Sequence, residues 1–145
     1  MLWFDTYMSP DSVIDSRLHM PDYEYTVNRT RMKKRERIQL GSPILVNGKQ
    51  LAIFRHGTQY FAIQQICPHA GGNLAEGDIE SIDNMLCISC PRHKYPFVLG
   101  SGDCLIGEQF KAEQYPVEVR QVHGSPSLFV GFPQLTTTLF YEEDF

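Results

Sequence analysis

Two short stretches, Cys67-Pro68-His69-Ala70-Gly71-Gly72 and Cys90-Pro91-Arg92-His93, decide how the rest of this 145-residue chain is interpreted. Each stretch contains one cysteine and one histidine, close enough for a single tight loop to aim both side chains at one point. Thiolate and imidazole are common ligands for iron and zinc in proteins. Residues 70–89 separate the two pairs and leave room for a connecting element. The pattern predicts two loops that hold one metal centre between them.

The ligand types favour an iron–sulfur centre over a single metal ion. Two thiolates on one iron and two imidazoles on the other are the ligand set of a Rieske [2Fe–2S] centre. A zinc site is the alternative, because Cys87-Ile-Ser-Cys90 is itself a Cys-x-x-Cys pair. Residues 85–88, however, predict a regular strand, in which Cys87 would point into the sheet. A third interpretation gives the cysteines only a packing role, which is what we expect of Cys87 and Cys104.

The small and rigid residues inside the two stretches suit such loops. Gly71 and Gly72 allow the backbone to approach a metal centre closely and to turn amide groups toward it. Pro68 and Pro91 each follow a cysteine and stiffen the chain at that point. We therefore expect two compact, preformed loops.

Composition narrows the class of protein. The chain has 13 basic and 17 acidic residues, a net charge of −4, which argues against nucleic acid as the main partner. No apolar run approaches the roughly 20 residues of a membrane span. The first residues lack the basic and apolar regions of a secretory signal, so we expect a cytoplasmic protein with reduced cysteines.

The spacing of apolar residues predicts an all-β protein. Asn47-Gly48 lies between two short apolar runs and is a strong hairpin signal, because both residues tolerate positive φ. His123-Gly124 predicts a second turn. The predicted strands cover residues 23–27, 43–46, 51–54, 60–63, 85–88, 95–99, 115–119 and 127–130.

The sequence divides into three parts. Residues 1–21 carry loop signals without a sustained apolar period, which predicts a flexible N-terminal extension. Residues 22–132 form the predicted domain, and residues 133–145 form an acidic tail. A basic run over residues 29–37 predicts a solvated loop, or alternatively a docking patch for an acidic partner.

The two stretches resemble the two ligand boxes of Rieske-domain proteins, with Phe97 four residues beyond the second histidine. The surroundings also match, including Leu74-Ala-Glu-Gly77 and the Gly100-Ser-Gly102-Asp turn. Within that superfamily the chain is most similar to the small soluble Rieske domain-containing proteins of eukaryotes, also called Rieske-type ferredoxins. The resemblance covers residues 22–132 and implies an antiparallel β-sandwich with a small subdomain that presents two ligand loops. It also implies one [2Fe–2S] cluster per chain, with the ligands Cys67, His69, Cys90 and His93.

Differences from the respiratory-chain Rieske proteins suggest how the reduction potential of the centre is set. Those proteins join the two loops by a disulfide, and the corresponding positions here hold Gly72 and Arg92. They also place a Ser and a Tyr, whose hydroxyls donate to cluster sulfurs, where this chain has Tyr95 and Phe97. Hydrogen bonds to the cluster sulfurs are one control on the reduction potential. We therefore predict a centre of low reduction potential whose two loops are not joined by a disulfide.

The leading functional hypothesis is an electron carrier and not an enzyme. We expect single electrons to pass from a reductase to an acceptor such as an oxygenase, with the chain acting as a monomer. Residues 133–145 leave no room for a mononuclear iron domain, and the chain has no G-x-G-x-x-G dinucleotide fingerprint. The alternative is a non-catalytic binding or sensor subunit of a larger complex, in which the cluster is structural.

Overall fold

The computed structural model describes residues 1–18, 23–25, 32–34, 38–69, 71–92, 94–107 and 109–136. Within these residues the chain forms twelve β-strands, three single-turn 3₁₀ helices and no α-helix. The 3₁₀ helices are Pro10–Ser12, Ser16–Leu18 and Leu74–Glu76. The strands are β1 Leu2–Asp5, β2 Tyr23–Tyr25, β3 Met32–Lys34, β4 Ser42–Val46, β5 Lys49–His56, β6 Gln59–Gln64, β7 Asp78–Ile82, β8 Met85–Ser89, β9 Pro96–Val98, β10 Gln114–Tyr115, β11 Val117–Val122 and β12 Ser125–Phe132.

The strands form antiparallel sheets, which confirms the predicted all-β class. A four-stranded sheet has the order β10-β6-β5-β4, and two three-stranded sheets have the orders β1-β12-β11 and β7-β8-β9. Strands β2 and β3 pair with each other. The two predicted ligand loops are residues 67–72 and 90–95. The sheet β1-β12-β11 contains neither of them, whereas β8 and β9 flank the second.

The four-stranded sheet is buried on both faces, so the apolar run in β5 does not alternate with polar residues. Leu51 and Ile53 point into one core, and Ala52 and Phe54 point into the other. We call the core that contains Leu51 and Ile53 the sandwich core. Its buried residues are Val13, Val46, Leu51, Ile53, Ala62, Leu128, Val130 and Phe132. The ligand-side core contains Leu40, Ala52, Phe54, Ile63, Cys67, Leu74, Ala75, Ile79, Ile88, Cys90, Phe97, Leu99, Cys104 and Ala112.

The tight turns follow the predicted chemistry. Asn47 and Gly48 connect β4 to β5 with φ of 50° and 71°, and His123 and Gly124 connect β11 to β12 with φ of 52° and 81°. Positive φ at both turn positions gives the twist that antiparallel hairpins need. A third turn of this kind, between β7 and β8, was not predicted from the sequence. Neither was β7 itself.

The N-terminal segment differs from the expectation. The sequence predicts a flexible extension over residues 1–21, whereas in the structure residues 1–18 pack against the sandwich. Strand β1 pairs with β12, and Val13 is only 1% exposed in the sandwich core. The carboxylate of Asp15 accepts hydrogen bonds from Gly57 N at 3.0 Å and from Arg17 Nη2 at 2.8 Å. These contacts make the segment part of the sandwich, and scattered loop signals did not reveal them.

The ends of the predicted domain are only partly described. Strand β2 confirms residues 23–25 of the first predicted strand, and β3 lies inside the basic run. The other residues of that run, 29–31 and 35–37, lie outside the described residues, as do residues 137–145 of the tail. The start of the tail contacts the domain, because Asn47 donates to Gln134 O and accepts from Thr136 N, both at 3.1 Å. No helix in the described ranges has the length and apolar character needed to cross a membrane.

Candidate metal centre

The first ligand loop connects β6 to the 3₁₀ turn at Leu74–Glu76 and closes tightly on itself. Cys67 N donates to Gly72 O at 2.7 Å, and Gly71 N donates to Cys67 O at 2.9 Å. Gly71 has φ of 70°, a conformation that favours glycine. Asn73 then caps the 3₁₀ turn by accepting from Ala75 N at 3.0 Å. The cysteine therefore sits at the start of a loop whose backbone is fixed at both ends.

The second ligand loop, between β8 and β9, repeats the same hydrogen bonds. Cys90 N donates to Tyr95 O at 3.0 Å, and Lys94 N donates to Cys90 O at 2.8 Å. In both loops the cysteine bonds to the residues four and five positions later in the chain. Lys94, at the position equivalent to Gly71, also has positive φ, at 60°. Two stretches with different sequences thus form the same cysteine-centred loop.

The two loops meet at Gly72. A Cβ atom added to Gly72 would lie 2.9 Å from Cys90 Sγ and 3.3 Å from Arg92 Cγ. Cys67 and Cys90 are 2% and 0% exposed and both belong to the ligand-side core. The other two cysteines, Cys87 and Cys104, are buried as well. The structure therefore brings both predicted cysteine ligands to one buried region.

His69 lies between aromatic rings contributed by two other segments. Its ring stacks on Tyr95 with a centroid distance of 3.8 Å and an interplanar angle of 9°. Phe110 approaches the same ring edge-on at 4.9 Å and 74°. The Nδ1 atom of His69 is buried. The imidazole is consequently held between the second ligand loop and the segment that precedes β10.

His93, the fourth predicted ligand, lies outside the described residues. Among the residues that are described, no three histidine, cysteine or carboxylate side chains gather closely enough to hold one metal ion. A [2Fe–2S] cluster needs only two protein ligands on each iron, so its ligands spread over two metal atoms. The buried cysteines and the close approach of the loops at Gly72 fit a cluster of this kind.

The remaining cysteines have packing roles in the structure. Cys87 is fully buried within β8, opposite Glu80 on β7 and Val98 on β9. Burial, together with the nearby carboxylates of Glu80 and Asp83, raises the pKa of the Cys87 thiol. Cys104 is 5% exposed in the ligand-side core. These positions agree with the apolar role that the sequence suggested.

Two features of the site have no clear signal in the sequence. Phe110 is distant in sequence from both ligand stretches, yet its ring contacts His69. The sequence points only to the hydroxyl group of Tyr95, whereas the structure places its ring against the imidazole. Phe97 is fully buried in the ligand-side core together with both predicted cysteine ligands. Arg92 and Lys94 are exposed within the second loop.

Comparison with known proteins identifies the family. The family model described as soluble Rieske-type ferredoxin matches residues 25–127. This chain belongs to that family. Rieske-type ferredoxins are iron–sulfur electron-transfer proteins, and they normally bind a [2Fe–2S] cluster. The match confirms both the resemblance seen in the ligand boxes and the predicted fold.

Individual relatives of this Rieske-type ferredoxin agree with the assignment. A Rieske domain-containing protein of Homo sapiens is 40% identical over 74 residues, which are 51% of this chain and 45% of the human protein. The ferredoxin component of naphthalene 1,2-dioxygenase/salicylate 5-hydroxylase systems from Ralstonia sp is 26% identical over 80 residues, covering 54% of this chain and 73% of that protein. The alignment with the human relative thus spans about half the length of either protein.

A solved structure supports the fold independently. The crystal structure of a putative NADH-dependent nitrite reductase small subunit from Mycobacterium tuberculosis has a TM-score of 0.65 to this chain. The alignment covers 92% of this chain and 97% of that subunit at 18% sequence identity. Such low identity shows a common fold and nothing further about activity.

Proposed function

We propose that this chain is a one-electron carrier whose single Rieske [2Fe–2S] cluster is held by Cys67, His69, Cys90 and His93. The observation that carries the proposal is the pair of matching loops, each closed by the same two backbone hydrogen bonds around its cysteine. Matching loops that meet at a buried contact suit a cluster held from two sides. The sequence supplies one histidine to each loop, two or three residues after the cysteine.

The chain's own residues have distinct tasks in this proposal. When bound, the cluster supplies reversible one-electron chemistry. The loop hydrogen bonds hold each cysteine in place, and burial of Cys67 and Cys90 keeps water away from their sulfurs. Gly72 leaves space beside the Cys90 sulfur, which a larger residue would fill. Fixed ligands reduce the rearrangement that accompanies a change of charge at the centre.

The partners that we propose are a reductase and an oxygenase-type acceptor. The support comes from the Ralstonia relative, which is named as the ferredoxin component of dioxygenase and hydroxylase systems. The exposed side chains of Arg92 and Lys94, on either side of His93, place positive charge beside the second ligand loop and suit an acidic partner surface. We further propose a cytoplasmic monomer that transfers electrons without a substrate reaction of its own.

The domain itself is proposed to begin earlier than the sequence suggested. Strand β1 completes the three-stranded sheet, and Val13 fills the sandwich core. We therefore propose a functional unit from residue 2 to about residue 136, instead of 22–132. This boundary keeps the contacts of Asn47 with the start of the tail.

Purified protein tests the proposal. We expect two iron atoms and two sulfides per chain, a visible spectrum that bleaches and recovers over repeated cycles of reduction and oxidation, and the EPR signal of a reduced Rieske centre. Each of Cys67→Ser, His69→Ala, Cys90→Ser and His93→Ala should abolish that signal. Cys104→Ala is the control, since Cys104 is a buried cysteine that is not a proposed ligand, and it should keep the signal.

Three outcomes would overturn parts of the proposal. A colourless protein with bound zinc would reject the iron–sulfur centre. A centre that survives His93→Ala would reject the proposed ligand set. A cluster that cannot be cycled reversibly would favour the alternative, in which the chain is a structural or sensor subunit of a larger complex.

A further inference from the structure

Tyr95 connects the two ligand loops through different parts of the same residue. Its carbonyl oxygen accepts the hydrogen bond from Cys90 N at 3.0 Å, within the second loop. Its ring lies flat against the imidazole of His69, in the first loop, at 3.8 Å. The residue therefore contacts one proposed ligand of each loop. Gly72 and Arg92 also lie next to each other across the loops but carry no covalent link.

Phe110 supports this contact from a third segment. Its ring meets His69 at 4.9 Å and 74°, and meets Tyr95 at 6.0 Å and 66°. Gly107 allows the close approach of this ring, because a Cβ atom there would lie 3.0 Å from Phe110 Cδ2. Tyr95 and Phe110 both pack against the ligand-side core, which anchors them. The three rings form one aromatic group with stacked and edge-on geometries, both of which are favourable.

Such a group would matter because an imidazole ring turns easily about its bond to Cβ. The torsion that sets the ring plane of a histidine has broad minima, so the ring is not fixed by its own covalent geometry. A histidine that binds metal usually has its plane set by a neighbouring group. For His69, the face of Tyr95 and the edge of Phe110 restrict the ring in two directions.

We propose that Tyr95, backed by Phe110, is a noncovalent brace between the ligand loops that fixes the imidazole plane of His69. The ring of Tyr95, and not its hydroxyl group, performs this task. Tyr95 and Phe110 are thus positioning residues that act through His69. The proposal rests on the proposed function, because it assigns His69 as a ligand. A brace of this kind does not depend on a disulfide and is insensitive to thiol reductants.

The test compares four variants with the wild-type protein. Tyr95→Leu removes the stacked ring, Tyr95→Phe keeps the ring and removes the hydroxyl, and Phe110→Leu removes the edge-on ring. Phe4→Leu is the matched control, since Phe4 is a partly buried residue in an edge-on pair with Phe132 at 5.5 Å, in the sandwich core. The rate of cluster loss to an iron chelator is followed by visible absorption, and the g values of the reduced centre are measured by EPR.

We expect Tyr95→Leu to lose its cluster about two- to tenfold faster than wild type, the range that corresponds to one aromatic pair. Its g values should shift or broaden, because the His69 plane is no longer fixed. Tyr95→Phe should match wild type in both measurements, and a thiol reductant should change neither. Phe110→Leu should lie between Tyr95→Leu and wild type, and Phe4→Leu should leave the g values unchanged.

The possible failures are distinguishable. If the wild-type protein holds no cluster, the proposed function fails. If wild type holds a cluster and Tyr95→Leu matches it in both measurements, only the brace is rejected. If Tyr95→Phe behaves like Tyr95→Leu, the hydroxyl group is responsible and the brace is again rejected. The far-UV circular dichroism of each cluster-free variant shows whether the variant folds, and a misfolded Tyr95→Leu is replaced by Tyr95→Met, for which the same outcomes apply.

Discussion

Gly72 and Cys90 lie in different ligand loops, and a single methyl group on Gly72 would come within 2.9 Å of the Cys90 sulfur. Real Cβ atoms do not approach other atoms so closely, so one of the loops would have to move. The sulfur concerned belongs to a fully buried residue, which limits the space available for such a movement. The absence of a side chain at position 72 is therefore a requirement of the way the loops meet.

The first prediction follows from this contact. Gly72→Ala should lower the iron content of the purified protein at least about twofold, since overpacking at a tight contact costs about 1–3 kcal/mol. Gly100→Ala is the control, because a Cβ atom at Gly100 meets nothing within 4 Å. Iron and sulfide analysis checks the result. Equal iron contents in both variants would show that the loops separate easily at this point.

The second prediction concerns the potential of the centre. We expect a wild-type midpoint below zero, near the lower end of the range from about −150 to +300 mV for Rieske centres. Phe97→Tyr should raise it by about 20 to 65 mV, the equivalent of one added hydrogen bond of about 0.5–1.5 kcal/mol in a one-electron couple. Redox titration followed by EPR measures both values.

The control for this substitution is Phe129→Tyr, which adds the same hydroxyl group on β12, in a sheet without a ligand loop. Its midpoint should equal that of wild type. A wild-type midpoint well above zero would reject the low-potential assignment. An unchanged midpoint in a folded Phe97→Tyr variant would mean that position 97 does not face the cluster.

The third prediction addresses partner docking. Arg92 and Lys94 are both exposed within the second ligand loop. Reversing both charges to glutamate should slow electron transfer from an acidic reductase about tenfold or more at low ionic strength, with a smaller effect at high salt. Stopped-flow reduction at several salt concentrations measures this. Arg120→Glu, an exposed position on β11, is the control and should change the rate much less. Similar slowing by both variants would indicate a general charge effect.

The fourth prediction is a pH dependence of stability that arises at Asp15. The hydrogen bond from the Arg17 side chain, followed by that from Gly57 N, holds the pKa of the Asp15 carboxyl well below its usual range. A carboxyl whose pKa is depressed on folding stabilises the protein above its unfolded pKa of about 3.9 and loses this effect as the pH falls toward the folded pKa. Asp15→Ala should therefore melt at a lower temperature than wild type at pH 7.

The difference in melting temperature should shrink as the pH is lowered below about 4, because wild type then loses the contribution that the variant lacks. Thermal unfolding followed by circular dichroism provides the measurement. Asp11→Ala serves as the control, since the Asp11 side chain is 92% exposed and lies 3.9 Å from Arg55 Nη1. A constant difference for Asp15→Ala across the pH range would show that its carboxylate charge is not involved.

The fifth prediction tests whether the N-terminal segment belongs to the domain. Val13 is 1% exposed, and Val13→Ala should lower the free energy of unfolding by about 1–3 kcal/mol. Val119→Ala, at a position that is 46% exposed, should cost much less. Chemical denaturation measures both. The midpoint potential should not change in either variant. If the free energy of unfolding of Val13→Ala equals that of wild type, residues 1–18 are dispensable for the stability of the domain.

The positions of the two loops were predictable because their signals lie within a few adjacent residues. Spacing within each stretch restricts which side chains can reach one metal centre, and Asn47-Gly48 specifies a hairpin from two adjacent residues. The contacts that escaped prediction join distant parts of the chain. Nothing near Phe110 indicates that its ring meets His69, since that contact depends on how the segment before β10 packs.

The N-terminal segment escaped prediction for a related reason. Strand β1 has four residues, and its pairing with β12 joins the two ends of the described chain. The stretch Ser9-Pro-Asp-Ser12 gave a loop signal, which was correct locally, because two 3₁₀ turns follow β1. This signal did not reveal that Val13 and Asp15, which lie between the two turns, contact β5 and its neighbours. Tertiary packing, and not local propensity, orders this segment.

The pairing of Leu2 with Phe132 in the register of β1 and β12 has an architectural consequence. The polypeptide enters and leaves the sandwich at neighbouring points, on a sheet that does not contain either ligand loop. A unit with adjacent entry and exit points can be spliced into a surface loop of a larger enzyme without unfolding either component. This geometry would let the same sandwich exist either as a separate protein or as an inserted unit of a larger one.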